Sequence, residues 1–220
     1  MQNVIGFVIN NMWASLLKVI KLWWHQSPLS SWYVKKIIRR YNIDLTLYAI
    51  DPALPPTLAQ FMVRKHRTKP RIPRSNERLI LAPVAGTVLK YDAHHLIMQM
   101  NIQHYHRIHV PIAGTITHYT RAPYTNTIIH ITAPDGFVVS LTIYTPAQHH
   151  ATILHYNPQR NYHLQGTEIG CIYATEALIT LQSSKPCVYE FQKNDEVSCI
   201  APVGALTSAI RQQLTSGKLL

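Results

Sequence analysis

Negative charge is scarce in this chain. Its 220 residues hold 10 Asp and Glu against 21 Lys and Arg, a formal net charge of +11 with an isoelectric point near 9.7. A chain so short of carboxylates calls for acidic partners, either phospholipid head groups or nucleic acid. Cysteine is scarcer still. Cys171, Cys187 and Cys199 are an odd set without a CxxC spacing, which argues against a disulfide framework and fits core-facing thiols in a reducing compartment. A phosphate-binding P-loop, a dinucleotide fingerprint and a Ser-His-Asp order are all missing. Hydrophobic residues are not scarce. At 47% of the chain they exclude a disordered protein and suffice for one sizeable core or two small lobes.

The most apolar stretch is NVIGFVINNMWASLLKVIKLWW, residues 3–24. Ile5, Ile9, Met12, Leu16, Ile20 and Trp23 recur at helical spacing, and Asn11, Ser15 and Lys18 mark a more polar face. A spanning helix needs about 20 predominantly apolar residues, and Asn10, Asn11, Lys18 and Lys21 interrupt this one. A basic start and a small-residue cleavage site, the marks of a signal peptide, are absent. The pattern predicts a helix lying in the membrane interface. Trp13, Trp23 and Trp24 would be belt residues, and Phe7, Leu16, Lys18 and Lys21 would bind the membrane with them. A spanning helix and a helix packed on the protein's own core are the alternatives.

Residues 30–42, SSWYVKKIIRRYN, predict a second helix capped by Ser30 or Ser31. Trp32, Val34, Ile37, Ile38 and Tyr41 form its apolar side, and Lys35, Lys36, Arg39 and Arg40 a basic side suited to an anionic membrane. Thr57 caps a third short helix, LAQFMVRK. Arg64–Arg78 form a basic loop broken by Pro70 and Pro73. It lacks the interleaved aromatics of a nucleic-acid patch, so nucleic acid is not expected as a partner. Beyond residue 78, short β-branched runs predict strands: RLILAPVAGTVLKY, HLIMQMNI, TITHYT, NTIIHITA, FVVSLTIY, ATILHY, EALITL and CVYEF. Asp135-Gly136 marks a hairpin between two of them. PVAGTV (83–88) and PIAGTI (111–116) form an internal echo, which suggests duplicated strand-turn-strand units. The first copy also resembles biotinyl and lipoyl domains, but Lys90 lacks the exposed, methionine-flanked hairpin those require. GALTSAIRQQLTSG predicts a short closing helix.

The segment HYHRIHVPIAGTI, residues 104–116, concentrates the chemistry-bearing side chains. Pro111 cannot donate to a sheet ladder and marks a strand end. On one strand, alternation would put His104 and His106 on one face and His109 on the other. His104 and His106 could ligate a metal as an i, i+2 pair with His94-His95, His149-His150 or Glu176. No thiolate or carboxylate spacing supports this, and no metal site is assigned. The plainer role for His109 is a histidine satisfied by backbone at a strand end.

Tyr105-His106-Arg107-Ile108-His109-Val110-Pro111 resembles the Tyr-His-Arg-Val-His-Met-Pro signature of the phosphatidylserine decarboxylases. KIIRRYNIDL (36–45) is similar to that family's Tyr-x-Ile/Val-Asp segment. TLAQFMVRKHRTKPRIP (57–73) resembles its Phe-x-x-Phe-Phe-x-Arg…Arg-Pro segment, LAPVAGTV (81–88) its Ser-Pro-Ala-Asp-Gly-x-Val, and LQGTEIG (164–170) its Lys-Gly-Gln-Glu-Met-Gly. The resemblance spans roughly residues 32–209. It implies an α+β, mainly β fold: membrane-facing helices over residues 1–56, then a compact antiparallel β domain over 57–220. It implies phosphatidylserine as a ligand, and a catalytic role for His109 with His106 beside it.

The family builds its own cofactor, and here this chain departs. A serine in Leu-Gly-Ser-Thr attacks the preceding carbonyl and becomes an N-terminal pyruvoyl group. That motif falls on Ala174-Thr175-Glu176-Ala177, with Glu176 at the serine position, and the family aspartate falls on Ala85. Of the Asp, His and Ser of self-cleavage only His109 remains. Glutamate has no β-hydroxyl to attack with or eliminate, so a pyruvoyl cofactor is not expected. Were Glu176 buried, it would need a cationic partner, for which His109 is the candidate. Thr175, one residue earlier, could run the same shift to a ketobutyryl group, provided the chain bends at Ala174–Thr175. The expectation is a non-catalytic, peripheral protein on the cytoplasmic face of an anionic membrane. It could act alone, as a homo-oligomer, or with a catalytic relative. The alternatives are an active decarboxylase with an unconventional carbonyl and, ranked lowest, a nucleic-acid binder.

Overall fold

The computed structural model describes residues 27–51, 53–54, 56–68, 79–121, 126–145, 152–154, 162–189 and 191–206. Phe7, Trp13, Leu16, Lys18, Lys21, Trp23 and Trp24 lie outside them, as do residues 69–78 of the basic loop. Among the described residues no helix is long and apolar enough to cross a membrane.

Two compact units divide the chain between Arg67 and Thr68. In the first, helix α1 (Pro28–Tyr41) opens with proline in its first turn, where the missing N–H costs nothing, and closes on Asn42 in the left-handed region (φ 49). Ser30 Oγ donates to the Ser27 carbonyl at 2.7 Å and accepts the Leu58 N–H at 3.0 Å. That ties α1 to the start of helix α2 (Leu58–Met62), which carries a full capping box of Thr57 and Gln60. Val34 and Ile37 are buried, whereas Trp32 and Tyr41, expected on the apolar side, are exposed. Trp32 instead carries the Lys36 ammonium 3.9 Å above its ring. The helical unit runs past the expected division at residue 56. Ala49 N–H donates to Lys65 O and Arg67 N–H to Leu47 O, and buried Arg64 lies between the rings of Phe61 and Tyr48.

The strands described in the second unit all pair antiparallel. Its strands are β1 (Leu79–Leu81), β2 (Gly86–Tyr91), β3 (His95–Asn101), β4 (Arg107–His109), β5 (Gly114–Arg121), β6 (Asn126–Thr132), β7 (Val138–Tyr144), β8 (Thr152–Leu154), β9 (Tyr162–His163), β10 (Glu168–Ile172), β11 (Glu176–Ser183), β12 (Cys187–Val188), β13 (Glu196–Val197) and β14 (Pro202–Leu206). They form an eight-stranded sheet, β13-β2-β3-β11-β7-β6-β5-β9, and two three-stranded sheets, β1-β14-β12 and β4-β10-β8. Strand alternation puts Leu96, Met98, Ile129, Ile131, Val139, Leu141, Ile179 and Leu181 inward. There they share one core with Ile80, Ile108, Ile169 and Val203 of the small sheets. Each such aliphatic contributes about 1.5–3 kcal/mol by leaving water. Mainly β architecture is thus as the sequence suggests. Gly204, Ala205 and Leu206, the first residues of the expected closing helix, end β14 instead, and the rest of that segment lies outside the described residues.

The PVAGTV/PIAGTI echo extends to a complete duplication. β1-β2-β3 and β4-β5-β6 have matching registers, with bulges at Val88/Lys90 and at Ile116/His118. β14 pairs β1 as β10 pairs β4, with Leu81 opposite Pro202 and His109 opposite Glu168. β13 flanks β2 as β9 flanks β5. The copies exchange reciprocal bonds: Leu81 N–H donates to Pro111 O at 2.9 Å, and its counterpart His109 N–H to Pro83 O at 2.8 Å. β7 and β11 pair with each other between the copies, Leu141 facing Leu181.

Candidate functional site

The histidine stretch does not lie on one strand. β3 ends at Asn101, the chain turns through Ile102–His104, and only Arg107–His109 form β4, in a different sheet. The three imidazoles are accordingly held apart by different neighbours. His104 Nδ1 accepts the Asn101 N–H at 2.8 Å. Its proton therefore sits on Nε2 and is donated to Glu196 Oε2 at 2.7 Å, while Thr87 Oγ1 donates to Glu196 Oε1 at 2.8 Å. His106 is fully buried. Its Nδ1 stands 3.2 Å from the Ile172 carbonyl and its Nε2 3.3 Å from the Asn101 carbonyl. It spans the ends of β10 and β3. His109 is buried, its ring near-parallel to Tyr105 with centroids 6.1 Å apart. Arg107 of β4 donates to Glu168 of β10 at 3.0 Å. Among the described residues no group of three or more His, Cys, Asp and Glu is placed to hold a metal ion.

The positions singled out by resemblance fall on neighbouring segments. Ala85 is buried just before β2, two residues beyond the Pro83 carbonyl that accepts the His109 N–H. β10, paired with β4, leads into a bend at Ala174–Thr175, and β11 starts at Glu176 opposite Asn101. The bend is where the Thr175 alternative needs it; Ala174 is buried and Thr175 half-buried. Glu176 is exposed. The expected need for a buried ion pair with His109 therefore falls away, because water solvates the carboxylate. Burial raises the phenol pKa of Tyr173 at the start of this bend. It also pushes the Cys199 thiol up to about 11 and raises Cys187, so these thiols are poor nucleophiles at neutral pH.

Glu176 opens onto a pocket of about 430 Å³ on the eight-stranded sheet. Gln99, Leu178 and Tyr144 are cross-strand neighbours on β3, β11 and β7 and line it together. Leu89, unpaired in the β2 bulge, Thr145 and Ala177 also line it. Tyr144 and Leu178 are 41% and 38% exposed, so the site offers apolar surface to a ligand. Apart from Glu176, sequence reasoning does not find these residues. The only local signal is Leu178 sharing the outward face with Glu176 in EALITL. No family model matches the chain, and neither does any curated protein or solved structure.

Proposed function

We propose that this chain is a non-catalytic protein of the phosphatidylserine decarboxylase type that binds phospholipid at the cytoplasmic face of a membrane, as a peripheral protein. One observation carries this reading: glutamate stands at the position where the family chemistry needs a β-hydroxyl, and that glutamate borders a pocket lined with leucine and tyrosine side chains. Decarboxylating an amino-acid head group needs an electron sink, and none of the twenty side chains supplies a carbonyl that condenses with the amine. The net charge of +11 and the Trp-bearing N-terminal stretch support attachment to an anionic bilayer.

Flotation with vesicles containing phosphatidylglycerol tests the membrane part. The full chain should float, and a chain lacking residues 1–27 should not. High salt should release the full chain only partly, because apolar insertion survives screening. Equal flotation of the truncated chain would rule out attachment through this stretch.

The bend at Ala174–Thr175 favours one second reading, an active decarboxylase whose carbonyl derives from Thr175. It requires two fragments that meet at Ala174–Thr175.

A further inference from the structure

Taking up the phospholipid-binding reading and resting on it, we infer that the pocket on the eight-stranded sheet selects a head group bearing an ammonium and no carboxylate, as in choline or ethanolamine phospholipids. Among the described residues that line the pocket, Glu176 is the one that carries a charge. It is an acid in a chain with 21 basic and 10 acidic residues, so the site's local sign is opposite to that of the molecule. A ligand drawn by the overall charge carries a negative group, and one seated against Glu176 carries a positive group. A zwitterionic phospholipid has both, phosphate and ammonium, a few bonds apart. Tyr144, 41% exposed, offers a ring face to the cation. Gln99 and Thr145 offer hydrogen bonds to phosphate or ester oxygens. Leu89 and Leu178 give the glycerol and first acyl carbons an apolar wall. A serine head group adds a carboxylate beside the same ammonium, and Glu176 repels it.

Calorimetric titration with dihexanoyl phosphatidylcholine and dihexanoyl phosphatidylserine, both below their micellar concentrations, tests this on the full chain. The choline lipid should bind about fivefold to tenfold more tightly than the serine lipid, the scale of one exposed charge contact. Glu176→Gln, at an exposed position that the fold does not depend on, should bring the two affinities together. Tyr144→Leu should weaken the choline lipid while leaving the serine lipid within about twofold. Equal binding of both lipids by the unaltered chain, or a preference that survives Glu176→Gln, would overturn the inference and leave phospholipid binding standing. If neither lipid binds while vesicle flotation persists, the pocket is not a head-group site. Loss of both sinks the pocket inference and the phospholipid reading together.

Discussion

At the scale of single residues, the positions that carry the resemblance hold side chains unable to run the chemistry of the resembled family. Ala85 presents a methyl group where the family has a carboxylate, and Glu176 presents a carboxylate where it has a hydroxyl. His109 keeps its imidazole, but its main chain is committed to Pro83 and it stacks on Tyr105. The buried thiols are equally withdrawn from chemistry. Cys199 is protonated well into the alkaline range because burial lifts its pKa from an ordinary 9.0 to about 11. A pKa raised by folding contributes stability that is complete below the unfolded value and is lost as pH rises toward the folded one. The thermal midpoint of the native chain should therefore fall between about pH 9 and 11. Cys199→Ala should flatten that part of the profile. An unchanged alkaline slope in the variant would show that another group sets it.

At the scale of elements, the duplicated turn imposes the same demand twice. A Cβ on Gly86 would lie 2.7 Å from the Gln99 carbonyl oxygen, and one on Gly114 would lie 2.5 Å from the Thr132 carbonyl oxygen. Both obstacles are backbone in a paired strand and cannot swing aside. Gly86→Ala and Gly114→Ala should each destabilise by about 1–3 kcal/mol, read as a shift in the denaturant midpoint. A neutral result at either position would mean that its copy of the turn relaxes. The two glycines were legible as an echo in the sequence, and so was Thr57 as a helix cap. Alternation made β3, β6, β7 and β11 legible too. The closing strands of each copy were not. EIGCI of β10 is half-buried at Glu168 and buried over its other four residues, so no alternation marks it. β9 and β13 have two residues each. The pocket escaped for a different reason. Gln99, Leu178 and Tyr144 are distant in sequence and meet only through the registers of β3 with β11 and β11 with β7.

At the scale of the whole molecule, the question is whether the chain stays in one piece. Pyruvoyl chemistry begins with a backbone ester, which requires a side-chain oxygen one carbon from Cα, and elimination then requires that same oxygen to leave. Glu176 meets neither condition. Thr175 meets both in composition and lies in a bend, where a backbone carbonyl is less constrained than within a ladder. But of the two helpers that the resembled family uses, only the histidine has a counterpart here, His109; the aspartate position is Ala85, and alanine cannot move a proton. The purified protein should therefore run as a single chain of 25.1 kDa by intact mass. It should give no hydrazone with phenylhydrazine and release no carbon dioxide from phosphatidylserine. The combined change Ala85→Asp, Thr175→Gly and Glu176→Ser supplies the functional groups that the resembled family carries at these positions, with Ala85 two residues from the Pro83 carbonyl that accepts the His109 N–H. A fraction of that variant should split between residues 175 and 176, with the downstream fragment blocked to Edman degradation. If the unaltered chain instead splits between Ala174 and Thr175 and reacts with hydrazine, Thr175 is a cofactor precursor and the protein is an enzyme.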